Sequence, residues 1–180
     1  SLEKLWNKMM AVPSKQLRDD AWNELERLEL VNKTKITDLG LQVAEIKTDP
    51  IYGRLLIEAK ENGVLLEMLA FISLSTVAKT FTKWVINLSF NNPVENIFKE
   101  WFDENGDPWT LLKLYITWKL VDDDEKEEWC LERNINHKLL THVKSHYLTL
   151  KRMILPNSSN KTRFYFEETD YIPIIKNIFK

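Results

Sequence analysis

Residues 106–120, GDPWTLLKLYITWKL, decide the predicted fold class. The Asp-Pro pair at its opening is a strong start signal for a helix, because proline is tolerated in the first helical turn. Leu111, Tyr115 and Trp118 then recur at spacings of three and four, which places them on one helix face. Further apolar residues widen that face, so the segment predicts a helix buried on more than one side. It contains no group of side chains that would catalyse a reaction.

Residues 1–47 predict a partial winged-helix domain. A short apolar-rich helix is expected at residues 2–12, and Ser14 is a plausible N-cap for the amphipathic helix that follows. A turn, a short TKIT strand and another short helix come next, with Thr37 or Asp38 as the helix cap. Helix, turn, strand and helix in this order suggest the later elements of a winged helix.

Residues 48–180 predict a helical bundle. Asp49 and Pro50 repeat the Asp-Pro start signal, and Asn136 is a plausible cap for the longest helix. That helix carries an apolar seam at spacings of three and four, formed by Leu140, Val143, Tyr147, Leu150 and Ile154. Seven Trp and eight Phe beside only four Gly favour the packing of large side chains over sharp turns. We therefore expect a mainly α protein.

The charges are unevenly distributed, although the net charge is only −2. Residues 95–132 hold twelve acidic and four basic side chains, whereas residues 137–163 hold six Lys or Arg, three His and no acidic residue. One side of the longest helix collects five of these basic groups: His137, Lys144 and Lys151, seven apart, with Lys138 and Arg152 one position further. Such an edge would attract a phosphate backbone and release its counterions. The alternative is a solvated lysine-rich face, which the pattern by itself favours.

Catalysis by this chain alone is not expected. Its four glycines are scattered and form no phosphate-binding loop. His142 and His146 have the i, i+4 spacing by which helical histidines share a metal, but HVKSH lacks the glutamate of H-E-x-x-H. We therefore expect no metal and no cofactor in this chain. Cys130, in an apolar helix face, is expected to be a small core residue.

The composition also bounds the cellular compartment. A single cysteine excludes an internal disulfide and fits a reducing compartment, the cytoplasm or the nucleus. No apolar run reaches the roughly 18 residues that a membrane span needs, and no signal peptide is found. Because the chain opens at Ser1 rather than Met, we expect a piece of a longer intracellular protein.

Several segments, in chain order, resemble the region that follows the motor domains of DEAH-box helicases. TDLGLQVAEIKTDP resembles the T-x-L-G-R-x-M-A-x-x-P-L-D-P run that closes the winged helix of that family, and GRLLIEAKENGVLLEMLAFISLST resembles the helix pair after it. GDPWTLLKLYITWKL resembles G-D-H-x-T-L-L-x-x-Y-x-x-W, EEWCLERNINHKLL resembles W-C-x-x-x-x-[LI]-N-[YF]-R-x-L, and YIPIIKNIFK resembles the final helix. The resemblance covers about residues 13–180. It implies structural roles for Asp49, Pro50, Gly106, Asp107, Trp118, Trp129 and Asn136.

This resemblance implies an accessory fragment, made of a partial winged helix (1–47) and the ratchet-like, helicase-associated bundle (48–180). In the family these domains wall off a tunnel for a single strand of RNA or DNA. Strand contact would fall to the basic edge, His137, Lys138, Lys144, Lys151 and Arg152. ATP, Mg and the ATPase motifs would belong to motor domains of the same polypeptide. The expected partners of this fragment are those motor domains and the nucleic acid. No membrane partner is expected.

Two other interpretations stay open. The chain could be a protein-interaction module that docks activator proteins without touching the strand, using the acidic run at 122–128. It could instead be a metal-dependent enzyme that uses His142 and His146.

The sequence also departs from the family pattern, since Lys138 stands where the motif has Arg. A point charge replaces a forked guanidinium there, so we expect a less specific phosphate contact.

Overall fold

The computed structural model describes residues 12–77, 99–156 and 171–178 of the chain. These residues hold eight helices and one two-stranded hairpin: α1 (Lys15–Arg27), β1 (Val31–Asn32), β2 (Lys35–Ile36), α2 (Asp38–Ile46), α3 (Pro50–Glu61), α4 (Leu65–Val77), α5 (Asp107–Leu120), α6 (Lys126–Glu132), α7 (His137–Ile154) and α8 (Tyr171–Ile178). The prediction of a mainly α protein is confirmed for this part of the chain. The helix expected at 2–12 lies outside the described residues.

The chain divides into two compact units, Ser1–Arg54 and Leu55–Lys180. Helix α3 begins in the first unit and ends in the second. The functional boundary expected between residues 47 and 48 stays a prediction, as does the winged-helix character of the first domain.

In the first unit, α1 leads into an antiparallel hairpin in which Val31 pairs with Ile36. The Oγ of Ser14 accepts a hydrogen bond from the Leu17 N–H at 3.2 Å, which satisfies one free donor of the first turn of α1. Thr37 caps α2 in the same way, since its Oγ1 accepts the Gly40 N–H at 3.0 Å. The same hydroxyl lies 2.8 Å from the Glu29 carbonyl, to which it donates, and so joins α2 to the end of α1.

The second unit is a helical bundle in which α4 contacts both α5 and α7, and α7 also contacts α6. Helix α5 is buried on more than one side, as its sequence predicts, and Tyr115 and Trp118 are among the largest fully buried side chains. Between α4 and α5 the rings of Phe71 and Trp109 lie 5.5 Å apart. Burying these large apolar side chains is the main stabilising term for such a bundle.

The helix starts that position these elements differ in detail. The Ile51 N–H donates to Oδ1 of Asp49 at 3.0 Å, so Asp49 acts as the expected cap of α3. Asp107 does not act in this way, because Gly106 is the N-cap of α5 and no side chain caps that helix. Trp129, for which the resemblance implies a structural role, is half-buried, and its ring lies 5.7 Å from that of Trp101.

Candidate nucleic-acid interface

Helix α7 is held in place by its cap and its apolar seam. The Oδ1 of Asn136 accepts the Leu139 N–H at 3.1 Å, which fixes the first turn. Four seam residues are buried as predicted: Leu140, Val143, Tyr147 and Leu150. The fifth, Ile154, is half-buried. A helix of 18 residues anchored along one side presents its opposite side as a rigid surface about 27 Å long.

The side of α7 opposite the seam carries one continuous stripe of exposed residues. Its members are spaced alternately by four and three: Lys138, His142, Ser145, Thr149 and Arg152. We call these five residues the outer stripe. Lys138 and Arg152 stand near its two ends, and neither forms an ion pair with any described residue. The outer stripe therefore offers two cations to a ligand.

The other three predicted contact residues lie on the flank of α7, between the outer stripe and the seam. The ring of His137 is 6.1 Å from that of Trp118, and both His137 and Lys144 are half-buried. Lys151 is only 5% exposed, so the expectation that it lies on an exposed cationic edge is wrong. The reason is its position next to Leu150 and four residues from Tyr147, on the border of the buried seam.

Lys144 is engaged with a carboxylate of the acidic segment between α5 and α6. Its Nζ lies 2.9 Å from Oδ1 of Asp123, and Nζ of Lys126 lies 3.0 Å from the same oxygen. Hydrogen bonds from Lys144 and then Lys126 lower the pKa of Asp123 to about 2, so the carboxylate is ionised at any physiological pH. The sequence separates Lys144 from Asp123 by 21 positions, so no spacing rule could have found this pair.

Lys119 of α5 adds a further positive group beside this pair. Its Nζ lies 4.1 Å from the centre of the Tyr147 ring. Burial is the larger cause, and together with the positive charges of Lys151, Lys144 and Lys126 it lowers the pKa of Lys119 to about 7. Three lysines of α6 and α7 thus act electrostatically on Lys119 of α5.

The paired histidines of α7 lie in different surroundings. His142 is exposed on the outer stripe, whereas Nδ1 of His146 is 3.1 Å from the hydroxyl oxygen of Ser73 on α4. Burial lowers the pKa of the His146 imidazole. Within residues 12–77, 99–156 and 171–178, no three or more His, Cys, Asp or Glu side chains converge in a way that could hold a metal ion. Cys130 is buried as expected, and burial raises the pKa of its thiol to about 11.

A second surface feature lies on α6 and the segment before it. Seven carboxylates are exposed there: Asp122, Asp123, Asp124, Glu125, Glu127, Glu128 and Glu132. We call this the acidic surface. Leu131 lies on it with 74% of its surface exposed, and Leu120 just before it is also largely exposed. The acidic run is visible in the sequence, but the exposure of the two leucines is not.

No helix in the described parts of the chain is both long and apolar enough to cross a membrane.

Comparison with known proteins shows a distant, partial relation to DEAH-box RNA helicases. The chain is 23% identical over 142 residues to a probable ATP-dependent RNA helicase DHX35 homolog of Caenorhabditis elegans, covering 74% of this chain and 19% of that protein. It is 24% identical over 117 residues to the human probable ATP-dependent RNA helicase DHX35, covering 65% of this chain and 16% of that protein. For the Drosophila melanogaster ATP-dependent RNA helicase DHX33 the identity is 26% over 110 residues, 61% of this chain and 15% of that protein.

The chain therefore spans less than a fifth of the length of these relatives. No protein-family model matches it.

Proposed function

We propose that this chain is an accessory, RNA-binding part of a DEAH-type ATP-dependent helicase and that it lines the path of the single strand. Residues 1–47 would be the end of a winged helix and residues 48–180 the helicase-associated bundle. ATP hydrolysis, with its Mg, would belong to motor domains of the same polypeptide. The order of the sequence motifs supports this assignment, and the names of the relatives favour RNA over DNA.

The observation that carries the proposal is the outer stripe of α7. Lys138 and Arg152 lie fourteen positions apart, about 21 Å along the axis, on a helix anchored by four buried seam residues. Neither cation is neutralised by a described carboxylate. Two cations on the surface of an anchored helix attract phosphates and release their counterions. Contacts of this kind position a strand without reading its sequence, so we expect sequence-tolerant binding.

The hydroxyl groups near the outer stripe fit an RNA strand. The hydroxyl of Thr149 donates to the Ser145 carbonyl at 3.0 Å, and that of Thr141 donates to the His137 carbonyl at the same distance. Their protons are therefore occupied and their oxygens remain acceptors. A ribose 2′-OH can donate to such an oxygen, whereas a deoxyribose cannot. We expect tighter binding of RNA than of DNA of the same sequence.

A salt titration tests the proposal. Fluorescence anisotropy with the full chain and a labelled single-stranded RNA would measure the dissociation constant at several salt concentrations. Two neutralised phosphates predict a slope of about −1.4 for log K against log salt concentration, since each phosphate of a single strand contributes about −0.7. Binding that ignores salt, or no binding at low salt, would contradict the proposal.

A second candidate function is a protein-interaction module for activator proteins. The acidic surface favours it, because Leu131 stands 74% exposed among carboxylates and could bind a basic segment with an apolar side chain. A cross-linking map of the intact helicase distinguishes the two candidates. Cross-links from RNA to α7 support strand contact, whereas RNA cross-links confined to the motor domains favour the interaction module.

A further inference from the structure

Two lysines from different helices share one carboxylate oxygen in the second unit. Lys126 belongs to α6 and Lys144 to α7, and their Nζ atoms lie 3.0 and 2.9 Å from Oδ1 of Asp123. Asp123 belongs to neither helix, since it lies in the segment between α5 and α6. Two ammonium groups converge on a point where the protein supplies one negative charge.

The three groups differ in how firmly the fold holds them. The Lys126 side chain is only 7% exposed, and its ammonium also donates to the Val121 carbonyl and lies 5.4 Å from the centre of the Trp118 ring. The Lys144 side chain is 35% exposed and starts from a helix anchored by its seam. The Asp123 side chain is 78% exposed. The lysines are therefore fixed parts of the bundle, whereas the carboxylate can turn into water.

Neighbouring charges make this place more positive. Burial and then the positive charges of Lys151, Lys144 and Lys126 lower the pKa of Lys119 to about 7, so Lys119 is charged in only part of the molecules at neutral pH. Lys119 and Lys151 also make interactions of their own. They therefore add to the electrostatic potential at this site but do not supply free hydrogen-bond donors to it. A phosphate-type anion carries more charge and more acceptor oxygens than a carboxylate, so it would gain more from this environment.

We propose that Lys126 and Lys144 form a binding site for a phosphate-type anion, and that the Asp123 carboxylate occupies this site until a phosphate displaces it. Asp123 thus acts as an internal competitor. The identification of the anion as a strand phosphate rests on the function proposed above, whereas the site itself does not. Lys144 lies six positions from Lys138 and eight from Arg152, about 9 and 12 Å along α7. Once released, Lys144 would add a third cation on the flank of α7, beside the outer stripe.

Inorganic tripolyphosphate tests the site without nucleic acid. Asp123→Asn is compared with Asp124→Asn, because Asp124 is an exposed neighbour with no ion pair to a described residue and the charge change is the same. Isothermal titration calorimetry of the full chain should give a dissociation constant about two- to fivefold lower for Asp123→Asn, the factor that corresponds to an exposed ion pair. Adding Lys144→Gln to Asp123→Asn should abolish this gain.

Equal dissociation constants for the two Asn variants would overturn the proposal, and so would a gain that survives Lys144→Gln. If Asp123→Asn does not fold, Lys144→Gln in the otherwise native chain provides the test. It must weaken tripolyphosphate binding, whereas Lys60→Gln, a change at an exposed lysine of α3, must not. Equal effects of these two substitutions would overturn the proposal as well.

Single-stranded oligouridine, measured on the same variants, separates this inference from the proposed function. Tighter binding of both ligands by Asp123→Asn supports a site on the path of the strand. If tripolyphosphate distinguishes the variants but no variant binds oligouridine, the proposed function fails and the anion site stands. If oligouridine binds equally to both Asn variants while tripolyphosphate does not, the anion is not a strand phosphate.

Discussion

Glu67 of α4 is a carboxyl group with only 3% of its residue surface exposed and no ion pair to a described residue. Burial raises its pKa above the ordinary value of 4.5, because the ionised form loses its water. Its charge also adds to the raised pKa of Tyr147 and Tyr171, for which burial is the larger cause. Nothing in the helical periodicity of α4 distinguishes this glutamate from an exposed one, so the sequence alone could not predict its burial.

Glu67 should make the protein less stable as the pH rises. In the unfolded chain the carboxyl loses its proton near 4.5, whereas the folded protein keeps that proton to a higher pH. Between these two pKa values the folded state binds more protons, so the free energy of unfolding falls as the pH increases. Glu67→Gln removes this decline and should raise the free energy of unfolding by about 1 to 2 kcal/mol at pH 8.

Urea unfolding of both proteins from pH 4.5 to 8 measures this difference, and the comparison cancels all other titrating groups. Parallel pH profiles of the variant and the parent protein would show that Glu67 is not a buried acid.

Gly40 in α2 is required by a close approach of two backbone segments. A Cβ atom at this position would lie 2.0 Å from the carbonyl oxygen of Leu30, far inside van der Waals contact. Gly40→Ala should therefore lower the free energy of unfolding by about 2 to 3 kcal/mol despite the better helix propensity of alanine. Gly53→Ala is the comparison variant, since its Cβ would lie 2.7 Å from Cγ1 of the Val43 side chain rather than against backbone, and it should cost less stability.

Thermal unfolding of the two variants provides the measurement. If Gly40→Ala is as stable as Gly53→Ala, the backbone at Gly40 does not approach the Leu30 carbonyl closely enough to exclude a Cβ atom.

At the level of elements, the two Asp-Pro pairs occupy different positions at the starts of their helices. Asp49 is the N-cap of α3, and its side chain accepts the Ile51 N–H. Asp107 is instead the first residue of α5, because Gly106 takes the N-cap position with a φ of 108°. Only glycine adopts such a φ without strain, and Pro108 removes a donor that a capping side chain would use. The dipeptide predicted both helices but not the role of each aspartate.

The cap of α7 should contribute measurably to stability. Asn136→Ala removes the acceptor of the Leu139 N–H and should lower the free energy of unfolding by about 1 kcal/mol. Asn136→Asp keeps an acceptor and adds a negative charge at a helix N-terminus, so it should restore most of that stability. Urea unfolding at neutral pH compares the three proteins. Equal losses in the Ala and Asp variants would show that the cap bond is unimportant.

The seam of α7 was predictable, whereas the accessibility of its cations was not. Spacings of three and four identified the buried residues, because a helix facing a core repeats its apolar positions in this way. Residues seven apart share a side of a helix, but which side is exposed depends on the neighbouring helices. Lys138 and Arg152 are farthest from the seam, whereas Lys144 and Lys151 border it, and Lys144 there contacts Asp123 of the segment between α5 and α6.

Over the whole chain, the sequence predicted the fold class better than the site. Abundant aromatic residues, scarce glycine and helical periodicity all favoured a mainly α protein, and these signals are local. The acidic and basic blocks looked separate in sequence, yet they meet in space at Asp123 and Lys144. Contacts between distant segments depend on tertiary packing, which one sequence does not reveal. The outer stripe is therefore narrower than the edge that the charges alone predicted.

The proposed contact between the outer stripe of α7 and a single strand can be tested directly by charge reversal. Lys138→Glu combined with Arg152→Glu reverses both cations, and Lys60→Glu combined with Lys99→Glu makes the same charge change at two other exposed lysines. Fluorescence anisotropy with single-stranded RNA at low salt would measure binding by the full chain and both double variants. Strand contact through the outer stripe predicts a loss of affinity of about tenfold or more for the α7 variant and a clearly smaller loss for the control. Equal losses in the two variants, or unchanged binding after reversal of the stripe, would contradict it.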